Sequence, residues 1–182
     1  MHGSADSGAD GDEVDAIVAA WRRERPDLDV EPLQVLSRLD RLAGVLGERR
    51  AAVFARHGLR RHEFDVLAAL RREGPPFELT AGELAARTYV TSGTMTSRLD
   101  GLEARGLVVR SADREDGRLV RVALTADGRQ IVDAAFAALL EAEQELLDPL
   151  PGSTLESLAG ALRALLSSAL EQASDPSVRV SQ

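Results

Sequence analysis

The stretch between Leu79 and Gly128 leaves this chain the least freedom in how it can fold. Gly74-Pro75-Pro76 breaks whatever helix precedes it. Thr80 then stands where a hydroxyl cap belongs, and Glu83, three residues on, completes a capping box for a short helix with its body at Glu83 to Arg87. Tyr89-Val90-Thr91 has room only for a tight turn, after which Thr91 caps a second helix from Ser92 to Arg105 that Gly106 terminates. Leu107-Val108-Val109 and Leu119 to Leu124 are β-rich runs on either side of the polar segment Asp113 to Arg118, which predicts a hairpin with a charged tip. Two capped helices on a tight turn, followed by a hairpin, predict a helix-turn-helix with a wing.

Helices flank this unit. Val14, Ile17, Val18 and Trp21 recur at helical spacing before Pro26, and Pro26 to Pro32 reads as a linker. Val35, Leu36, Leu39, Leu42, Leu46, Val53 and Phe54 then form the stripe of a longer helix ending near His57-Gly58, and Leu59 to Arg72 forms another. Beyond the hairpin, Thr125 caps a long helix to about Leu147, with Ile131, Ala135, Leu139, Ala142 and Leu146 on one face. A last helix carries Leu155, Leu158, Leu162, Leu165, Ala169 and Leu170. These terminal helices lie too far along the chain to be the natural core of the hairpin unit, so their apolar faces point to a helical homodimer interface. The expected organisation is an acidic disordered head at 1–12, N-terminal helices on the dimer and ligand side at 13–58, and a winged lobe at 59–124. C-terminal dimerisation helices at 125–172 and a tail at 173–182 complete it. The fold class is mainly α (α+β).

Composition narrows the function. The 182 residues contain no cysteine, which removes disulfides, thiolate metal sites and thiol switches. No apolar run approaches the roughly 20 residues needed to span a bilayer, so no membrane partner is expected. The acidic head lacks the basic start and apolar stretch of a secretory signal, which leads us to expect a cytoplasmic protein. All 22 basic residues are arginines, suited to bidentate contact with phosphate or carboxylate. The net charge of -8 has the wrong sign for a general polyanion binder, so binding to nucleic acid has to rest on local clustering.

That clustering exists. On the helix after Thr91, Met95, Leu99 and Leu102 supply the inner face together with Leu84 and Val90 of the preceding helix and turn. Ser92, Gly93, Thr94, Thr96, Ser97 and Arg98 remain on the N-terminal half, where short hydroxyl side chains permit close approach to base edges and Arg98 reaches a base or a phosphate. At the hairpin tip, Asp116-Gly117 is a turn dipeptide and Arg114 a further cation. Arg118 is placed to enter a minor groove while Asp116 orients it. Duplex DNA is the expected partner, with a winged helix used only to bind protein as the competing reading.

Enzyme chemistry finds no support. His62-Glu63 begins like a zinc-protease helix, but Val66 stands where its second histidine belongs, and the only other histidines are His2 and His57. There is no nucleophile elbow, phosphate loop or dinucleotide fingerprint, and no metal or cofactor is expected.

The run from Glu83 through Asp116-Gly117-Arg118 to Leu124-Thr125-Ala126-Asp127-Gly128 resembles the MarR family of bacterial transcriptional regulators, and helical flanks extend the resemblance to roughly residues 14–172. It implies a dimer whose terminal helices pair while two winged lobes grip a pseudo-palindromic operator, commonly as a repressor relieved by a small ligand. Arg60-Arg61 departs from the family's Ser or Thr cap, which puts that helix start in question. The extra N-terminal helix with Trp21, Asp65, Arg98 and Arg110 resembles the urate-responsive branch. There the resemblance implies that a small organic anion, urate-like or aconitate-like, engages Trp21 and the arginines and disturbs Asp65. On the residues alone, Asp65 sits in an apolar helix and needs a donor, for which Arg98 and Arg110 are candidates, and a purely structural ion-pair cluster stays open.

Overall fold

A computed structural model of the chain describes residues 11–113, 116 and 119–174, in seven helices and three strands. Most of the expected head and tail therefore lie outside the described residues, as do Arg114, Gly117 and Arg118 of the hairpin tip.

The first helix, α1 (Glu13–Glu24), starts at a capping box in which the Asp12 carboxylate accepts from the Val14 and Asp15 backbone N–H groups and Asp15 accepts from that of Asp12. Arg38 of α2 (Pro32–Arg56) clamps this cap, donating to Asp12 at 2.8 Å and pairing with Asp15 at 2.9 Å. α1 lies along α2 and buries Val14 and Val18, but Trp21 is 49% exposed, so packing is not its role within one chain. Of the stripe expected on α2, Val53 and Phe54 are buried, whereas Val35, Leu36 and Leu42 face outward.

α3 (Arg61–Arg72) begins two residues later than the periodicity suggests. Its missing Ser/Thr cap is replaced by the other half of a capping box, Glu63 Oε2 accepting from the Arg60 N–H at 2.8 Å. The pair α4 (Ala81–Arg87) and α5 (Ser92–Ala104) follows, each started by the expected threonine: Thr80 accepts from Glu83 N and Thr91 from Thr94 N. Gly106, at φ 68, makes the left-handed exit from α5 that a side chain would resist.

The wing strands are β2 (Val108–Ala112) and β3 (Val120–Leu124). A third strand, β1 (Glu78–Thr80), pairs antiparallel with β3, giving the order β1-β3-β2 with Leu79 opposite Val122. The sequence reading missed β1 because three residues carry no alternation to detect.

One correction concerns α6 (Ala126–Leu147), expected to stand apart from the lobe. Its Val132, Ala135 and Leu139 belong to the same core as Phe54, Leu67, Leu70, Leu84, Met95, Leu99, Leu102 and Val122. Ion pairs reinforce the packing, Arg50 to Glu143 at 2.6 Å and Arg71 to Asp133 at 2.7 Å. The N-terminal face of α6 is thus structural to the winged lobe, while Phe136, Leu140 and Leu147 point away from it. α7 (Gly152–Ser174) is different: none of its described side chains is buried, and Leu158, Leu162, Leu165, Leu166 and Leu170 are exposed.

Candidate nucleic-acid interface

α5 is built with two unlike halves. Met95, Leu99 and Leu102 lock one face into the core. Ser92, Gly93, Thr94, Thr96 and Ser97 are exposed, and Arg98 is half-buried. The hydroxyls bond locally: Thr91 Oγ1 lies 3.0 Å from Thr94 Oγ1, and Thr96 Oγ1 donates to the Ser92 carbonyl at 3.0 Å. A Cβ at Gly93 would meet nothing within 4 Å, so no neighbour in the chain requires glycine there. Arg98 has no hydrogen bond or ion pair among the described residues. The exposed end of α5 is therefore a small-side-chain surface with one uncommitted guanidinium, at the positive pole of the helix dipole.

The other end of α5 is fastened. Arg110 of β2 donates to Glu103 at 2.8 and 2.6 Å and pairs with Asp100 at 2.8 Å, while its backbone N–H gives a further bond to Glu103 at 3.0 Å. The guanidinium hydrogen bond holds the Glu103 carboxyl below the usual carboxylate range. One guanidinium thereby pairs both acidic groups in the C-terminal half of α5. Arg105, at the C-cap, reaches back to the start of α3, donating to Glu63 at 3.0 Å and to the Gly58 carbonyl at 2.9 Å.

Glu63 is 9% exposed. Burial pushes its carboxyl upward, but the Arg60 N–H and the Arg105 guanidinium outweigh this and the net shift is downward. A depressed folded value means that the stabilisation is present above the ordinary carboxylate range and is lost as pH falls through the folded value. Glu63→Gln is therefore expected to lower unfolding free energy at pH 7 by about 1 kcal/mol, with Arg105 partly solvated, and the gap to wild type should close towards pH 3. Urea titrations across that range test it; a gap independent of pH contradicts the assignment.

At the wing, Asp113 is a residue the sequence reading left unassigned. It is 8% exposed, its carboxylate pairs with Arg121 of β3 and accepts the Asp116 N–H at 3.0 Å, and its own N–H donates to the Leu119 carbonyl at 2.9 Å. The Asp113 hydrogen bond raises the Arg121 guanidinium further above its ordinary value, and Arg121 also pairs with Glu78 of β1. Asp113 thus fixes the base of the tip. Asp116 stands there as expected, whereas the candidate contacts Arg114, Gly117 and Arg118 fall outside the described residues.

The expected anion residues are not gathered in one place. Trp21 lines a pocket with Leu28, Asp29, Val30, Pro32 and Leu33. Asp65 lines a separate one with Arg72, Arg87, Thr88 and Tyr89. Neither Arg98 nor Arg110 bonds to Asp65; Arg110 is taken by Asp100 and Glu103, a helix-to-strand pairing that spacing alone does not reveal.

The helix-turn-helix with its three-stranded wing places the chain in the class of winged-helix proteins, and comparison with known proteins narrows that class. The MarR family profile matches residues 57–119. The chain is 37% identical over 137 residues to the HTH-type transcriptional regulator PecS of Dickeya dadantii, covering 75% of this chain and 82% of that protein. It is 33% identical over 111 residues to the transcriptional repressor NicR of Pseudomonas putida, covering 59% of this chain and 68% of that protein. Among solved structures it resembles MarR of E. coli (TM-score 0.62, 26% identity, 72% of this chain and 96% of that one). It is also similar to MepR of S. aureus in a DNA complex (TM-score 0.63, 25% identity, 74% and 98%). The chain belongs to the MarR family and is a DNA-binding transcriptional regulator. Among the described residues no helix is long and apolar enough to cross a membrane.

Proposed function

We propose that the protein acts as a homodimeric repressor on a pseudo-palindromic operator and is released by a small organic anion. The observation that carries the DNA-reading part is the exposed face on the N-terminal half of α5, whose hydroxyls bond within the helix and its cap while Met95, Leu99 and Leu102 anchor the opposite face. Ser92, Gly93, Thr94, Thr96, Ser97 and Arg98 read the major groove, and Arg114, Asp116, Gly117 and Arg118 of the wing work at the minor groove. The uncovered leucines of α7, with those of α2 and α6, supply the dimer contact.

Footprinting tests this: two protected half-sites centred about 10 bp apart are expected, and protection without two-fold symmetry contradicts it. Gly93→Ala is a sharper probe. The open space around Gly93 and the higher helix propensity of alanine predict a gain of up to about 1 kcal/mol in stability. Operator affinity should nonetheless fall, because the added methyl meets the DNA. An affinity equal to wild type removes Gly93 from the interface.

For release, the reading rests on Trp21, Asp65, Arg98 and Arg110 as the anion-responsive set. A second reading, regulation without small-molecule sensing at these residues, is favoured by the engagement of Arg110 with Asp100 and Glu103. Gel-shift titration with urate, xanthine, aconitate, citrate and salicylate separates them: release by one of these supports sensing, and retention of the operator throughout supports the second.

A further inference from the structure

Three helices of the chain end on the same backbone motif, and one of them places an unsuited residue in it. After α2, the Leu59 N–H donates to the Phe54 carbonyl and the Gly58 N–H to that of Ala55, with Gly58 at φ 66. After α5, Leu107 donates to Leu102 and Gly106 to Glu103, with Gly106 at φ 68. After α4, Val90 donates to Ala85 at 3.0 Å and Tyr89 to Ala86 at 3.3 Å, but here the left-handed residue, at φ 54, is Tyr89. That position favours glycine, and a bulky side chain holds it only at a cost. Phe77, also at positive φ, offsets the same cost inside the chain, because the Arg71 and Arg129 guanidiniums lie over its ring at 5.0 and 5.7 Å. Tyr89 has no such compensation: it is 95% exposed, and its hydroxyl makes no hydrogen bond among the described residues.

We propose that Tyr89 is a positioning residue on DNA: its hydroxyl donates to a backbone phosphate beside the half-site that α5 reads, and its ring lies against the adjoining deoxyribose. The inference rests on the reading of α5 as the groove-facing helix and adds a contact outside the groove. Tyr89 follows Thr88, the C-cap of α4, and stands two residues before Thr91, the N-cap of α5, so it adjoins the end of α5 that exposes Ser92, Gly93 and Thr94. The charges around it cancel: Arg87 is paired with Glu73, and Arg72 is matched by one carboxylate, Asp65. The contact is therefore made by a neutral group. Tyrosine suits it, because the ring has only two torsions to immobilise and the hydroxyl is a donor without charge. Contacts to phosphate and sugar fix register and orientation without reading sequence. The turn thus gives up folding stability for a grip on the duplex that sets where α5 enters.

Tyr89 is the only tyrosine in the chain, so nitrotyrosine formed by tetranitromethane reports on it alone. In the free full-length protein it should nitrate readily, and saturation with the tightest duplex recovered from a random pool should block the reaction. Tyr89→Gly should melt at or above wild type, because glycine makes the same exit after α2 and α5, and should bind that duplex at least about tenfold more weakly. Tyr89→Phe should melt as wild type does and lose about threefold to tenfold in affinity, the worth of one net hydrogen bond. Neither variant should alter the dependence of affinity on salt, since a neutral hydroxyl displaces no counterion. Arg98→Ala separates this proposal from the reading of α5. If Arg98→Ala weakens binding while both Tyr89 variants bind as wild type and the duplex leaves nitration unchanged, the Tyr89 contact is wrong and α5 still faces the groove. If Arg98→Ala binds as wild type too, the reading of α5 falls with it. A Tyr89 that resists nitration in the free protein is covered by a second copy, and the contact to DNA is then wrong.

Discussion

Replacing Gly128 with alanine is expected to remove most of the protein's stability, by more than about 3 kcal/mol, or to prevent folding. Gly128 sits in the first turn of α6, pressed against the chain where it enters β2. A Cβ there would lie 1.9 Å from the Leu107 carbonyl oxygen and 2.9 Å from its carbon, both backbone atoms that cannot swing aside. The two segments are also stitched together: the Thr125 hydroxyl donates to the Gly106 carbonyl at 2.7 Å, and the Thr125 N–H to that of Leu107 at 3.2 Å. Relieving the clash means moving α6 away from the sheet and uncovering Val132 and Ala135. Gly101→Ala, at an exposed helical position with nothing within 4 Å, is the control and should be neutral or stabilising by up to about 1 kcal/mol. Urea midpoints for the two variants decide the matter. A Gly128→Ala protein within 1 kcal/mol of wild type, on the order of assay error, would mean the close approach does not exist.

Deleting Asp148 to Gln182 is expected to have the next largest effect, this time on assembly. The winged lobe closes its core with α6 and needs nothing from α7, so the truncated chain should still fold. It loses the row Leu158, Leu162, Leu165 and Leu166, which has no cover in the single chain. Sedimentation velocity should show monomers, or aggregates formed through the remaining exposed face of α6. Operator affinity should drop at least about a hundredfold, since each half-site is then engaged separately. A truncated protein that stays dimeric with full affinity would place the interface elsewhere.

What could be read from the sequence was local. Thr80 with Glu83, Thr91 and Thr125 announce helix starts because a cap and its partner lie within three residues, and Gly106 announces a stop for the same reason. The hairpin was legible because β-branched runs flank a polar tip. Features made by distant segments were not. β1 pairs with residues over forty positions away and is too short to show a period. Gly128 looks like any glycine near a helix start until Leu107 is brought against it. Arg110 could have met Asp65 on charge alone, but the helix-to-strand packing hands it Asp100 and Glu103 instead. Trp21 lies on the apolar stripe of α1, yet the rotation of that helix on α2 buries Val14 and Val18 and leaves the indole half outside.

The unequal fastening of α5 gives it the mechanics of a lever. Its fulcrum is the C-terminal end, where Arg105 is tied to Gly58 and Glu63, Arg110 to Asp100 and Glu103, and Leu102 is sealed in the core. The arm ahead of it, held to the core through Met95, carries the exposed hydroxyls of Ser92, Thr94, Thr96 and Ser97. Thirteen residues make a rod of roughly 20 Å, so a tilt of about 10° at the fulcrum sweeps the far end through about 3 Å, the length of one hydrogen bond. If the exposed hydroxyls read bases as proposed, a displacement that the packing around Met95, Leu99 and Leu102 has to follow only in part is enough to lengthen every base contact at once, and affinity for the operator becomes a measure of angle.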